Sequence, residues 1–145
     1  MEPLDLERQA PRSPRDTLFG CCFLPRTIDK LRAELPGGKP GGYIVTGSNS
    51  ISAYVLHKLR IDVDELRAAV AAAPDEAAVV AWLRARVDPV VGAEITGKLA
   101  SARVDTLPPA VRAQVEALHP VLAARPEIVS TFEMLEADDA ALSAP

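Results

Sequence analysis

Side chains that commonly mark a functional site are scarce in this chain. Its 145 residues include two histidines, one tryptophan, two tyrosines and three phenylalanines. His57 and His119 are far apart and lack metal-ligand spacing, which argues against a metal centre. The only cysteines, Cys21 and Cys22, are neighbours. Adjacent residues close only a strained ring, so they supply no disulfide framework and read as two small buried side chains. No apolar run approaches the roughly 20 residues of a membrane span, and the chain opens on acidic residues instead of a basic segment leading into an apolar one. Basic residues are outnumbered 16 to 20, giving a net charge of −4, which argues against a general nucleic-acid binder. The Gly-x-Ser-x-Gly elbow, the phosphate-binding Gly-x-x-x-x-Gly-Lys loop and the dinucleotide fingerprint are all missing. These absences predict a cytoplasmic protein with no cofactor, no metal, no nucleic-acid partner and no membrane partner.

Alanine is abundant, with 24 residues in a chain that is 48% hydrophobic. Alanine adds little buried area, so the core is expected to hold closely approaching helices with a few Leu, Val and Ile anchors. Twelve arginines against four lysines favour planar, bidentate contact with carboxylate, sulfate or phosphate. The same excess is also what an Ala-, Arg- and Pro-rich composition produces by itself. Charge is unevenly placed. Arg12, Arg15, Arg26, Lys30 and Arg32 lie near one end, whereas Glu127, Glu133, Glu136, Asp138 and Asp139 lie near the other. The two ends are therefore suited to attract each other or a partner.

Residues 1–25 read as an extended arm, because Pro3, Pro11, Pro14 and Pro25 interrupt any helix, and the apolar run Leu18–Leu24 would dock it. From Thr27, a candidate cap, Ile28, Leu31 and Leu35 have helical spacing up to the loop Pro36–Gly42, read as a connector. Tyr43–Thr46 is the best strand candidate. Gly47-Ser48-Asn49-Ser50 then turns the chain and can cap a helix bearing Ile51, Tyr54, Val55 and Leu59. Asp62 with Glu65 suggests a capping box, as does Ser130 with Glu133. Further helices are expected over Glu76–Val87 with Trp82 as a core anchor, over about Ala93–Val104, and from Pro109 with a kink at Pro120. The expectation is one mainly α domain over residues 1–145, with an arm (1–25) and a helical body (26–145). That body is a bundle of six or seven helices with at most one short strand element.

Three phrases carry a resemblance across nearly the whole chain: Pro11-Arg12-Ser13-Pro14-Arg15-Asp16-Thr17-Leu18, Leu24-Pro25-Arg26-Thr27-Ile28-Asp29-Lys30, and Arg125-Pro126-Glu127-Ile128 through Phe132-Glu133-Met134-Leu135-Glu136. Together they resemble a bacterial family catalogued as domain of unknown function 5069. The resemblance implies a small, mostly helical cytoplasmic domain whose Arg/Asp-bearing arm is characteristic, and it supplies no activity. Two departures stand out. Thr131 occupies a place where a tryptophan is expected, and Gly47-Ser48-Asn49-Ser50 replaces a more hydrophobic, acid-containing segment. A member that keeps the arm but alters a neighbouring wall would have its own ligand.

The arm residues admit two readings. In one, Arg15, Arg26, Asp16 and Asp29 pair among themselves and tie the arm down. In the other, Arg15, Arg26 and Lys30 clamp a small anionic metabolite and an aspartate, Asp29 or Asp16, serves as base. Tyr43, Ser48 and Asn49 would complete such a site, the last two beside the free N–H groups of a helix start. Without metal, cofactor or nucleophile, that inventory suits elimination, isomerisation or intramolecular cyclisation, in a biosynthetic, lyase-like or cyclase-like role. The required carboxylate would need an apolar surround, from Phe19, Phe23 and Tyr43. The alternative is a non-catalytic interaction module in a homo- or hetero-oligomer. His57, opposite its helix's apolar anchors, and His119, beside Pro120, read as surface or structural residues.

Overall fold

The computed structural model describes residues 1–142, so the last three positions of the expected helical body lie outside the described residues. Two strands, β1 (Thr17–Leu18) and β2 (Cys21–Cys22), pair antiparallel ahead of the helices. The helices are α1 (Leu24–Ala33), α2 (Ile51–Leu59), α3 (Val63–Ala72), α4 (Glu76–Arg84), α5 (Pro89–Ala100), α6 (Pro109–Leu118), α7 (Val121–Ala124) and α8 (Thr131–Leu142). The mainly α class with a minor strand element is as expected.

The strand element is not the one expected. Tyr43–Thr46 is irregular and pairs with no strand among the described residues; side chains bond its carbonyls instead, Ser50 Oγ reaching Val45 and Lys30 reaching Ile44. The hairpin lies in the arm. Phe19 and Gly20 form its two-residue loop with φ of 51° and 73°, the left-handed backbone at both central positions that matches the twist of the flanking strands. Helix α5 holds it there. The Thr96 hydroxyl donates to the Gly20 carbonyl (2.6 Å) and accepts from the Cys22 amide (2.8 Å). A Cβ on Gly92 would fall 2.8 Å from the Phe19 carbonyl oxygen and 3.1 Å from Cys21 Cβ. Gly92→Ala should gain about 0.5–1 kcal/mol of helix propensity. Overpacking costs about 1–3 kcal/mol, so a net loss near 1–2 kcal/mol is expected in urea unfolding. An unchanged midpoint would mean that the hairpin can back away.

Helix α1 starts at Leu24, not Thr27, because the preset φ of Pro25 suits a first turn. Thr27 is interior and donates to the Phe23 carbonyl at 2.9 Å. Asp29 and Lys30 consequently sit in mid-helix and not in the first turn, where the dipole would favour an aspartate. The expected caps form at Ser50 and Asp62, and Asp75 and Asp88 cap α4 and α5. The α8 box is reciprocal: Ser130 Oγ accepts from the Glu133 amide (3.1 Å), and Glu133 Oε2 accepts from the Val129 and Ser130 amides (3.0 and 3.2 Å). The helix expected to kink at Pro120 is instead two helices. His119, forced from helical geometry by the following proline, ends α6 with φ −129° and ψ 77°.

The arm is docked, as expected, by more than its apolar run. Leu6, 1% exposed, donates to the Lys39 carbonyl (2.8 Å), and the Lys39 amide donates to the Leu4 carbonyl (2.9 Å). The Pro36–Gly42 loop is therefore the edge that receives the arm, and not only a connector. One core cluster joins the hairpin to Ile28, Leu31, Val55, Leu56, Leu66, Val70, Val79, Leu83, Ile95, Leu122 and Phe132. Trp82 flanks this core, half-buried, with the Arg86 guanidinium over its ring at 3.8 Å. No helix of the described residues is long and apolar enough to cross a membrane.

Candidate functional site

Between α1, α8 and the segment Gly42–Ile51 lies a cleft of about 500 Å³. Helix α1 contributes Arg26 and Lys30, one turn apart. Both are buried, at 2% and 7% exposed. Their placement follows from the local sequence: Phe23, Leu24, Ile28 and Leu31 anchor α1 in the core, and the start at Leu24 turns Arg26 and Lys30 toward α8 and Tyr43.

Arg26 makes a two-pronged ion pair with Asp139 of α8, Nη1 to Oδ2 at 2.7 Å and Nη2 to Oδ1 at 2.8 Å. Nη1 also donates to the Arg12 carbonyl at 3.0 Å. The Tyr43 hydroxyl donates to Asp139 Oδ1 at 2.8 Å, and the Arg26 guanidinium lies between the Phe23 and Tyr43 rings, 5.5 and 5.3 Å from their centroids. Burial and then the bond to a carboxylate hold the Tyr43 phenol far above its ordinary pKa. Arg26 Nε is buried without a hydrogen-bond partner among the described residues.

Lys30 differs from Arg26 in having neutral acceptors. Its Nζ donates to the Ile44 carbonyl (3.1 Å) and to Ser52 Oγ (3.3 Å), and stands 4.9 Å from the Phe23 ring centroid. Burial, with the Arg26 charge adding and Asp139 partly offsetting, pushes its pKa down to about 7. On the other wall His119 Nδ1 is paired with Asp138 Oδ2, each side chain about a quarter exposed. Asn49 and Ser50 bring the start of α2 into the lining, and Ile44, Ile51, Leu118, Leu135 and Leu142 supply apolar surface.

The residues singled out from the sequence thus divide. Arg26, Lys30, Tyr43 and Asn49 line the cleft. Ser48 is exposed outside the lining. Asp29, the first candidate base, is bound by Arg12: the Arg12 amide and Nε reach Oδ2 at 2.8 and 3.0 Å, and Nη2 reaches Oδ1 at 2.8 Å. It pins the arm and does not line the cleft. Asp16, the second, is exposed in the turn after Ser13. Arg15 points outward to Glu136. The tying-down reading therefore describes the arm, with Arg12 in the role given to Arg15, and the cleft reading describes α1. The basic and acidic ends of the chain do meet, through Arg15–Glu136 and Arg26–Asp139.

Three cleft residues, His119, Asp138 and Asp139, escaped the sequence reading. One signal was available: Leu135, Asp138, Asp139 and Leu142 share a face of α8 at helical spacing, with two acids between apolar neighbours. Of the two family departures, Gly47–Ser50 does reach the cleft through Asn49 and Ser50, whereas Thr131, at the start of α8, is outside its lining.

These features describe a small, mainly helical domain with a polar-floored cleft between its first and last helices. The chain belongs to the family described as domain of unknown function 5069 (DUF5069), whose profile matches residues 8–141. No curated protein matches it.

Proposed function

We propose that the cleft binds a small anionic metabolite with an apolar body and acts on it without a cofactor, by elimination, isomerisation or intramolecular cyclisation. The observation that carries this reading is Lys30, a buried amine in the cleft wall whose hydrogen-bond acceptors are both neutral oxygens. Asp139, held in its two-pronged pair with Arg26, offsets the cost of burying that amine only in part, and an anion would add to that offset. The start of α2 at Asn49 and Ser50, the Arg26 guanidinium and the apolar walls support the same ligand chemistry. His119, and not Asp29 or Asp16, is the proton carrier, oriented by Asp138 through Nδ1 so that Nε2 is the working nitrogen. Arg26 keeps Asp139 and Tyr43 in place and sets the charge of the floor.

A second reading, a docking surface for a partner or another copy, is favoured by Ile44, Leu118 and Leu142 at the cleft, each at least 50% exposed. Thermal unfolding with sulfate, phosphate and small carboxylates separates the two. At about 100 times its Kd, a bound anion should stabilise the wild type by about 2–3 kcal/mol, a rise of roughly 5–10 °C. Lys30→Met should lose that rise and Arg15→Ala should keep it. If no anion moves the wild type while self-association depends on concentration, the docking reading stands instead.

A further inference from the structure

We infer that Lys30 is a nucleophilic amine that captures the carbonyl carbon of an α-keto acid as an imine. This rests on the anion-binding reading above and names the substrate class of the same cleft. A carbonyl-capturing amine must be uncharged, shielded from bulk water and close to a group that exchanges protons. Lys30 is buried and lines the same cleft as His119. The neutral amine has two hydrogens, and Nζ has two acceptors, the Ile44 carbonyl at 3.1 Å and Ser52 Oγ at 3.3 Å. Both hydrogens are then engaged and the lone pair is the remaining substituent. The Ser52 hydroxyl is itself held, 2.9 Å from Thr27 Oγ1.

The neighbours decide which of two buried cations gives up its proton. Arg26 and Lys30 lie one helical turn apart, an arrangement in which like charges repel. Arg26 is fixed as a cation by its two contacts to Asp139, and guanidinium does not deprotonate in proteins. Lys30 has no such contact among its hydrogen bonds, so it is the group that becomes neutral, in line with its lowered pKa. The ligand's carboxylate is matched by the charge of the Arg26 guanidinium, whose Nε is buried with no hydrogen-bond partner among the described residues.

The step balances without any further reagent. The Nζ lone pair forms the C–N bond as the carbonyl π pair moves to oxygen, and one Nζ proton then passes to that oxygen, which leaves a neutral carbinolamine with a lone pair on nitrogen. A second proton, supplied by the His119 imidazolium, lets that oxygen leave as water, and the C=N bond closes as the nitrogen lone pair moves in. The resulting iminium acidifies the adjacent C–H. Removal of that proton by His119 Nε2 gives an enamine, the common branch point for isomerisation and elimination.

Reductive trapping tests this on the full chain. Protein is incubated with pyruvate or glyoxylate and cyanoborohydride, and adducts are located by peptide mass spectrometry. Lys30 should be modified at pH 7 at least about 10-fold faster than Lys39, Lys58 and Lys98, because its burial favours the uncharged amine. Lys30→Arg, which replaces the amine with a guanidinium that does not deprotonate, should abolish the adduct while circular dichroism shows the fold intact. Adducts spread over the exposed lysines, or none at all, would overturn the proposal. Lactate, which has the carboxylate but no carbonyl, separates the two readings. If lactate stabilises the wild type but pyruvate is not trapped, imine formation fails and the anion site survives. If neither ligand binds or reacts, both fail.

Discussion

Asp139→Ala is expected to lower stability by about 3–5 kcal/mol, a loss that a single truncation reaches when it strands a buried charge. The carboxylate accepts from both Arg26 terminal nitrogens, at 2.7 and 2.8 Å, and from the Tyr43 hydroxyl at 2.8 Å. Arg26 is 2% exposed, so the abandoned guanidinium has little water to turn to. For a chain of this length the change corresponds to a fall of roughly 10–15 °C in Tm. Arg15→Ala breaks the other ion pair between the arm side and α8, yet both of its partners are about half exposed, and it should cost about 0–1 kcal/mol. Urea unfolding of the two variants makes the comparison directly. If Asp139→Ala costs no more than Arg15→Ala, water already reaches Arg26 and the cleft floor is wetter than its geometry indicates. A paired apolar replacement, Arg26→Met with Asp139→Leu, should cost less than Asp139→Ala alone, because the penalty comes chiefly from the unpaired charge.

That network shows where sequence reasoning succeeds and where it stops. Caps at Ser50, Asp62 and Ser130 were legible because a cap is decided within four residues: a short polar side chain next to the amides it satisfies. The hairpin was not legible. Its turn places a phenylalanine at φ 51°, a conformation no local rule assigns to that residue, and it is upheld by Thr96 and Gly92 some seventy residues away. The cleft was half legible. Composition and charge pointed to Arg26 and Lys30, but their partners arrive from α8, 113 residues along in the case of Asp139. A clamp and a tie look alike in sequence because both need the same guanidinium and carboxylate groups. Arg12 took Asp29 and so decided that the arm is a tie. His119 looked structural beside a proline, and it is the proline that ends α6 there and leaves the imidazole facing Asp138.

Lys30 should impress its titration on the stability of the whole protein. Unfolded, its amine has the ordinary pKa of 10.5; folded, burial lowers it to about 7. Between those values the unfolded chain binds more protons than the folded one, so stability rises with pH, by at most about 1.4 kcal/mol per pH unit. Below about pH 7 both states are protonated and the cost of burying the ammonium is present in full. Above about pH 9 the buried cysteines oppose the trend. Cys21, raised from 9.0 to about 12, keeps in the folded state a proton that the unfolded chain releases. The clean window is therefore pH 7 to about 8.5, over which wild type should gain about 1–2 kcal/mol relative to Lys30→Met. Urea midpoints of both proteins at several pH values measure this, and the difference cancels every group the two share. A flat difference would mean that Lys30 stays charged across the window, as a lysine with free access to water does. A rising one places an uncharged amine in the cleft near neutral pH, the form that carbonyl capture requires.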